Sequence, residues 1–297
     1  MKRLLLIMTL CGVVLCTYGQ KKRKTTTYNK PNKKQNDIFL QKQWWIGLKA
    51  GVNLSDPRLD KSYAILSPTN YEATNIDKEY ESFKSWGKQI SLEATFYFKG
   101  FSASIQPTYQ HTGFRYTNHF EWTDGSLEEN STNQLTLNYN QDQQVEHFVL
   151  PLILKYEVIG NKIRPYIQVG AFAGFLLNAS KSVEVSGVDY ASGGKSSFKE
   201  EPIIVGAKDL FAKTHYGILG GAGVYYNLGN IRLNLDIQYK IGMTNITSTK
   251  NRYDNDRLAG IGDAMDDLTL DNVAVSIGTL FPLRFLSSGF KSLDQKK

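Results

Sequence analysis

Long stretches of the chain alternate between apolar and polar residues with a period of two. From Trp44 to Leu54, Trp44, Ile46, Leu48, Ala50, Val52 and Leu54 fall on one face, with Trp45, Gly47, Lys49, Gly51 and Asn53 on the other. Gln89 to Phe98 sets Ile90, Leu92, Ala94, Phe96 and Phe98 against Gln89, Ser91, Glu93, Thr95 and Tyr97. After Lys99-Gly100 the pattern resumes from Phe101 to Gln110, so these two segments predict a hairpin. His147 to Val158 and Ile163 to Leu177 predict a second hairpin around Gly160-Asn161. His215 to Asn227 and Ile231 to Met243 predict a third, turning at Leu228-Gly229-Asn230, and Asp271 to Leu283 is a last strand.

Eight strands of about ten to fifteen residues result. They are joined alternately by tight turns and by long polar segments, Ser55 to Ser85, Gly113 to Gln144, Asn178 to Phe211 and Asn245 to Thr269. A soluble sandwich has turns at more even spacing. Short turns on one side and long loops on the other are the pattern of an outer-membrane barrel, whose apolar face meets lipid and whose polar face fills the lumen. The predicted fold is all-β: an eight-stranded antiparallel transmembrane β-barrel with short periplasmic turns and long extracellular loops. Trp44, Phe98, Phe101, Tyr109, Tyr156, Tyr226 and Phe281 stand near strand ends, where aromatic girdles form. Pro107 and Pro151 fall inside strands and predict a bulge or local irregularity, while the faces of His215 to Asn227 are ambiguous.

Composition sharpens this. The 297 residues carry a net charge of +7, which alone suggests a basic protein. Nine basic groups and no acid lie in Met1 to Lys34, leaving the rest near neutral and a nucleic-acid face unsupported. Lys2 and Arg3 followed by the apolar run Leu4 to Cys16 read as a signal peptide over 1–19, cleaved after Gly19 or Gln20. Cys11 and Cys16 are the only cysteines, so the mature chain has no disulfide or Cys-based site. Residues 20–42 read as a basic flexible periplasmic extension containing Lys21, Lys22, Arg23, Lys24, Lys30, Lys33 and Lys34. It suits attachment to an anionic surface or partner, or keeping the unfolded chain soluble. The barrel is expected over 43–284, with a tail over 285–297.

Gly47-Leu48-Lys49-Ala50-Gly51-Val52-Asn53, Leu150-Pro151-Leu152-Ile153-Leu154-Lys155-Tyr156, Arg164-Pro165-Tyr166 through Gly170 to Leu177, and Gly220-Gly221-Ala222-Gly223-Val224 resemble recurring pieces of the PorT-type outer-membrane β-barrel family. The resemblance runs from about Trp44 to Leu283. It implies an eight-stranded barrel in the outer membrane of a diderm bacterium and, through the member that names the family, a link to type IX protein secretion. The motifs themselves are structural.

The polar face places Lys49, Glu93, Lys155, Arg164, Asp236 and Lys240 in the lumen. Eight strands enclose a space that side chains just fill, so an internal ion-pair network is expected there. A narrow porin-like channel for small solutes is the alternative. A rim hydrolase is a third reading, using His147 with Glu146, or His111 near the end of its strand. The acidic stretch Asp254, Asp256, Asp263, Asp266, Asp267 and Asp271 lacks the ordered spacing of a calcium loop and reads as solvated. Gly220-Gly221-Ala222-Gly223 lies within a strand and reads as close packing, not a phosphate loop. The expectation is a non-enzymatic barrel without cofactor or metal, acting through partners or envelope integrity. Its expected surroundings are outer-membrane lipid and other envelope or secretion-system proteins, with no nucleic acid; its oligomeric state is open.

Overall fold

The computed structural model describes residues 43–63, 78–123, 134–158, 162–190, 195–228, 231–252 and 264–283. The expected signal peptide, basic extension and C-terminal tail lie outside them. Among the described residues the strands are β1 (Gln43–Lys61), β2 (Lys78–Glu81), β3 (Trp86–Phe98), β4 (Phe101–Ile105), β5 (Thr108–Thr123), β6 (Gln134–Glu157), β7 (Ile163–Asp189), β8 (Ser196–Lys199), β9 (Ile203–Gly206), β10 (Thr214–Leu228), β11 (Ile231–Gly242) and β12 (Asp267–Pro282). No helix among them is long and apolar enough to cross a membrane.

Eight strands close into an antiparallel ring in the order β1, β3, β4 with β5, β6, β7, β10, β11, β12. Closure comes from β12 pairing with β1, from Trp45↔Pro282 to Lys61↔Asp267. β4 and β5 act as one strand with a gap at Gln106 and Pro107, across which the register to both neighbours is unchanged. The two expected irregularities therefore differ. Pro107 interrupts its strand, whereas Pro151 lies within an unbroken β6 opposite that gap, and its carbonyl still accepts from Gln106 N–H at 3.2 Å. Register shifts fall elsewhere: Glu146 pairs with Asn178 and His147 with Leu176, leaving Leu177 as an extra residue in β7, and Leu59 pairs with Leu268 and Lys61 with Asp267, leaving Asp60 extra in β1.

The apolar face points outward. Leu48 is 55% exposed, Leu154 64% and Ile277 66%, while Lys49, Glu93, Lys155 and Asp236 are buried inside. β10, whose faces the sequence leaves ambiguous, turns His215, Gly217, Leu219, Tyr225 and Asn227 inward. Its inward glycines make room for large rings: a Cβ on Gly223 would lie 2.4 Å from Tyr166, and one on Gly217 2.8 Å from Phe172.

Exposed aromatics form two rows. Trp44, Phe98, Phe101, Tyr156, Tyr226 and Phe281 lie at the short-turn end, while Tyr109 stands in the other row with Phe148, Phe175, Tyr216 and Tyr239. Along β6 the rows are Tyr156 and Phe148, close to the roughly 9–11 residues that a tilted strand needs to span a bilayer.

Beyond Phe148 the strands do not stop. The segments Gly113 to Gln144 and Asn178 to Phe211, expected as loops, contain the outer halves of β5, β6 and β7, with β2 on one edge and β8 and β9 on the other. The reason is an inversion of phase. Within the belt Tyr109 faces out and Gln110 in, but farther along Phe114 and Tyr116 face in and Arg115 out. The strands continue where the pattern breaks, because the surroundings of their two faces have changed.

Leu48→Arg tests the outward placement of the apolar face. It is expected to lower stability in phospholipid vesicles by about 2–4 kcal/mol, as for arginine near a bilayer midplane, measured by denaturant unfolding. An unchanged midpoint contradicts lipid contact at this position.

Candidate functional site: the filled lumen

The lumen is packed in layers. At the short-turn end Trp45, Tyr97, Tyr166, Tyr225 and Leu280 form a buried cluster. Arg232 passes through it, its guanidinium 4.4 Å from the Trp45 ring and 5.2 Å from that of Tyr225, and donates to Glu157 at 3.1 Å. Stacking on π-faces is a low-cost way to hold a guanidinium out of water. Arg164 is fully buried at the same end.

The next layer joins four strands. Glu93 on β3 receives Lys155 of β6 at 2.5 Å and lies 3.6 Å from Lys49 of β1, which in turn pairs with Asp236 of β11. Tyr166 donates to Asp236 at 3.2 Å, and Lys155 to the Tyr225 hydroxyl at 3.0 Å. All four charged side chains are essentially shielded from solvent. A charge so desolvated is tolerable only beside its opposite. Lys240 stands farther along and donates to Gln110 Oε1 at 2.8 Å, while Gln106 accepts from Lys49 and from Gln238, each at 3.4 Å, and Gln168 is registered opposite Lys155.

The long-strand end is closed differently. Leu210 and Phe211 from the β9–β10 connection, Ile246 from the β11–β12 connection, and Met265, Leu268 and Leu270 pack on the inward Phe114, Tyr116, Val145 and Ala179. Polar groups latch this cap. Asp266 pairs with Lys78 at 3.0 Å and accepts from Tyr80 at 2.7 Å, and Asp267 receives Arg252 and Asn245, each at 2.5 Å. Asp266 is thus a buried partner, not a member of a solvated loop; Asp271 is also buried and accepts from Gly242 N–H at 3.0 Å. Asp254, Asp256 and Asp263 lie outside the described residues.

Outside the belt, the projecting sheet carries a polar hollow of about 380 Å³ lined in part by Glu81, Arg115, Asp142 and Glu184. Arg115 donates to Asp142 at 2.7 Å, which raises the guanidinium above its ordinary value.

Among the histidines, the structure separates one expected pair. His147 points into the lumen and Glu146 to the other face, because neighbours on a strand face opposite ways. His147 meets His215, with ring centroids 4.4 Å apart, and His111 is registered opposite Glu146. The pairing of His147 with Glu146, on which the rim-hydrolase reading drew, does not exist. Arg232 and Glu157 belong to the lumen set although charge alone did not single them out. Their parity with Asp236 and Lys155 was the signal that could have found them.

Removing Glu93 while leaving Lys49 and Lys155 exposes the cost of unpaired buried charge. Glu93→Leu is expected to destabilise the folded barrel by about 3–5 kcal/mol, and Glu93→Leu combined with Lys155→Met to recover part of that loss. Denaturant titration in detergent or lipid measures both; a double variant no better than the sum of the singles would show the groups to be uncoupled.

Several solved structures are similar in fold: Neisserial surface protein A (12% identity, 80% of this chain and 96% of that one, TM-score 0.30), Ail of Yersinia pestis in complex with a heparin analogue (10%, 80% and 99%, 0.28), and the N-terminal β-barrel domain of Pseudomonas aeruginosa OprF (10%, 81% and 100%, 0.27). At these values the likeness carries no inference about activity. No curated protein matches the sequence. The model of the outer membrane protein beta-barrel domain family matches residues 20–248, most of the chain. With its closed eight-strand ring, outward apolar belt and filled polar lumen, the chain belongs to that family and is an outer-membrane β-barrel.

Proposed function

We propose that this protein is a non-conducting, non-enzymatic barrel that anchors a folded surface sheet in the outer membrane and acts through partners or envelope integrity. The observation that carries the reading is the occupied lumen. Lys49, Glu93, Lys155 and Asp236, contributed by four strands, meet in its interior, and the apolar cap around Phe114, Phe211 and Met265 covers its outer end. A barrel plugged at two levels leaves its outward strands to do the work. β5, β6 and β7 continue well past the aromatic row and offer a broad polar surface to other molecules. In this reading the basic segment from Lys21 to Lys34 lies in the periplasm and contacts an anionic surface there. Resemblance to the PorT-type family extends the proposal to an accessory part in type IX secretion.

A second reading, a narrow channel, draws on the middle of the lumen. There, among the described residues, neither amide atom of Gln168 has a protein partner, nor do Gln89 Oε1 and Gln106 Nε2. Buried amides left in this way suit a file of water.

Planar-bilayer recording decides between them. The plugged barrel is expected to insert without steady single-channel current. Steady current from the unmodified protein, with ion selectivity altered by Lys49→Gln, would establish the channel and overturn the plug.

A further inference from the structure

On the lipid-facing exterior, near the periplasmic end, the wall carries a groove of about 410 Å³. Its origin is one small residue. Ala103 on β4 lies between Phe96 on β3 and Leu154 on β6 in the same register row, and the next row toward the periplasm is Phe98, Phe101 and Tyr156. These side chains all point into the bilayer: Phe98 is 46% exposed, Phe101 63% and Leu154 64%. A missing side chain in a row of large ones makes an apolar slot, closed at the periplasmic end by an aromatic step.

The turn beyond that step is a second, independent feature. Phe98 pairs with Phe101 across Lys99 and Gly100, and both turn residues have positive φ, 47° and 91°. Gly100 suits such a two-residue turn, but the first position is one that Asn, Asp or Gly fills at lower cost than a lysine. Lys99 is held there nonetheless, with its ammonium 5.3 Å from the Phe98 ring, beside the periplasmic end of the slot and level with headgroups.

We infer that this groove is a binding site for one anionic phospholipid of the periplasmic leaflet, with an acyl chain along Ala103 and its phosphate against Lys99. The slot supplies apolar area of a shape that a fluid chain can fill, and the lysine supplies charge complementarity where the chain meets its headgroup. The turn accepts a disfavoured residue because that residue contacts the ligand.

The test uses full-length protein in detergent, offered equal amounts of phosphatidylglycerol and phosphatidylcholine, with bound lipid counted by native mass spectrometry. The unmodified protein is expected to retain phosphatidylglycerol in preference by roughly two- to fivefold, the range that one exposed ion pair allows. Ala103→Phe fills the slot from the lipid side and is expected to lower retention of both lipids; Ala103→Leu serves the same purpose if the larger residue prevents folding, which heat-modifiable migration reports. Lys99→Asn, a residue better suited to the turn, is expected to keep the barrel folded and total lipid unchanged while abolishing the preference. Equal retention by the unmodified and Ala103 variants, no preference in the unmodified protein, or an undiminished preference in Lys99→Asn would each overturn the site.

Discussion

Closure of the sheet is the constraint from which the rest of this structure follows. In hydrocarbon no water can satisfy an open strand edge, so the first and last strands of the ring must find each other. They do so along nearly the whole of β1 and β12. Once the ring is shut, each strand has one face toward lipid and one toward a narrow interior, and every inward residue must fit among residues from the opposite wall.

That interior is where the chain places its charges, reversing the usual relation between burial and polarity. Lys49, Glu93, Lys155 and Asp236 are more completely shielded from solvent than Leu48 or Leu154, which face the membrane. Desolvation makes each of these charges dependent on a partner from another strand, so the ion pairs also act as cross-braces between β1, β3, β6 and β11. Arg232 is held by a different means, set among the rings of Trp45, Tyr97 and Tyr225 with Glu157 at its tip. At the outer end the logic returns to that of a soluble protein, with an apolar core under a polar exterior.

The two regimes share the same strands, which explains what sequence reading captured and what it lost. Within the membrane belt, alternation located all eight ring strands and the inward parity of residues as far apart as Lys49 and Asp236. Past the belt several outward residues are polar and several inward ones apolar, as at Arg115 and Phe114 or Asp142 and Val145, while Gln141, Gln143 and Lys181 still point inward, so no single apolar face persists. In β7 the extra residue Leu177 adds a change of parity at nearly the same level, Phe172 being inward before it and Ala179 after it. Both effects cancel a period-two signal, so continuing strands read as loops.

The sequence by itself determined the fold class, the number of ring strands and which face of most strands is polar, because each of these depends only on the order of residues along one strand. Only the tertiary structure decided which charge meets which, that His147 faces His215 instead of Glu146, that Asp266 is buried under a cap, and that Ala103 leaves a slot between Phe96 and Leu154. Those facts depend on strand register and on distances across the lumen. Register comes from hydrogen-bonded pairing between segments far apart in the chain, and no single strand's pattern contains it.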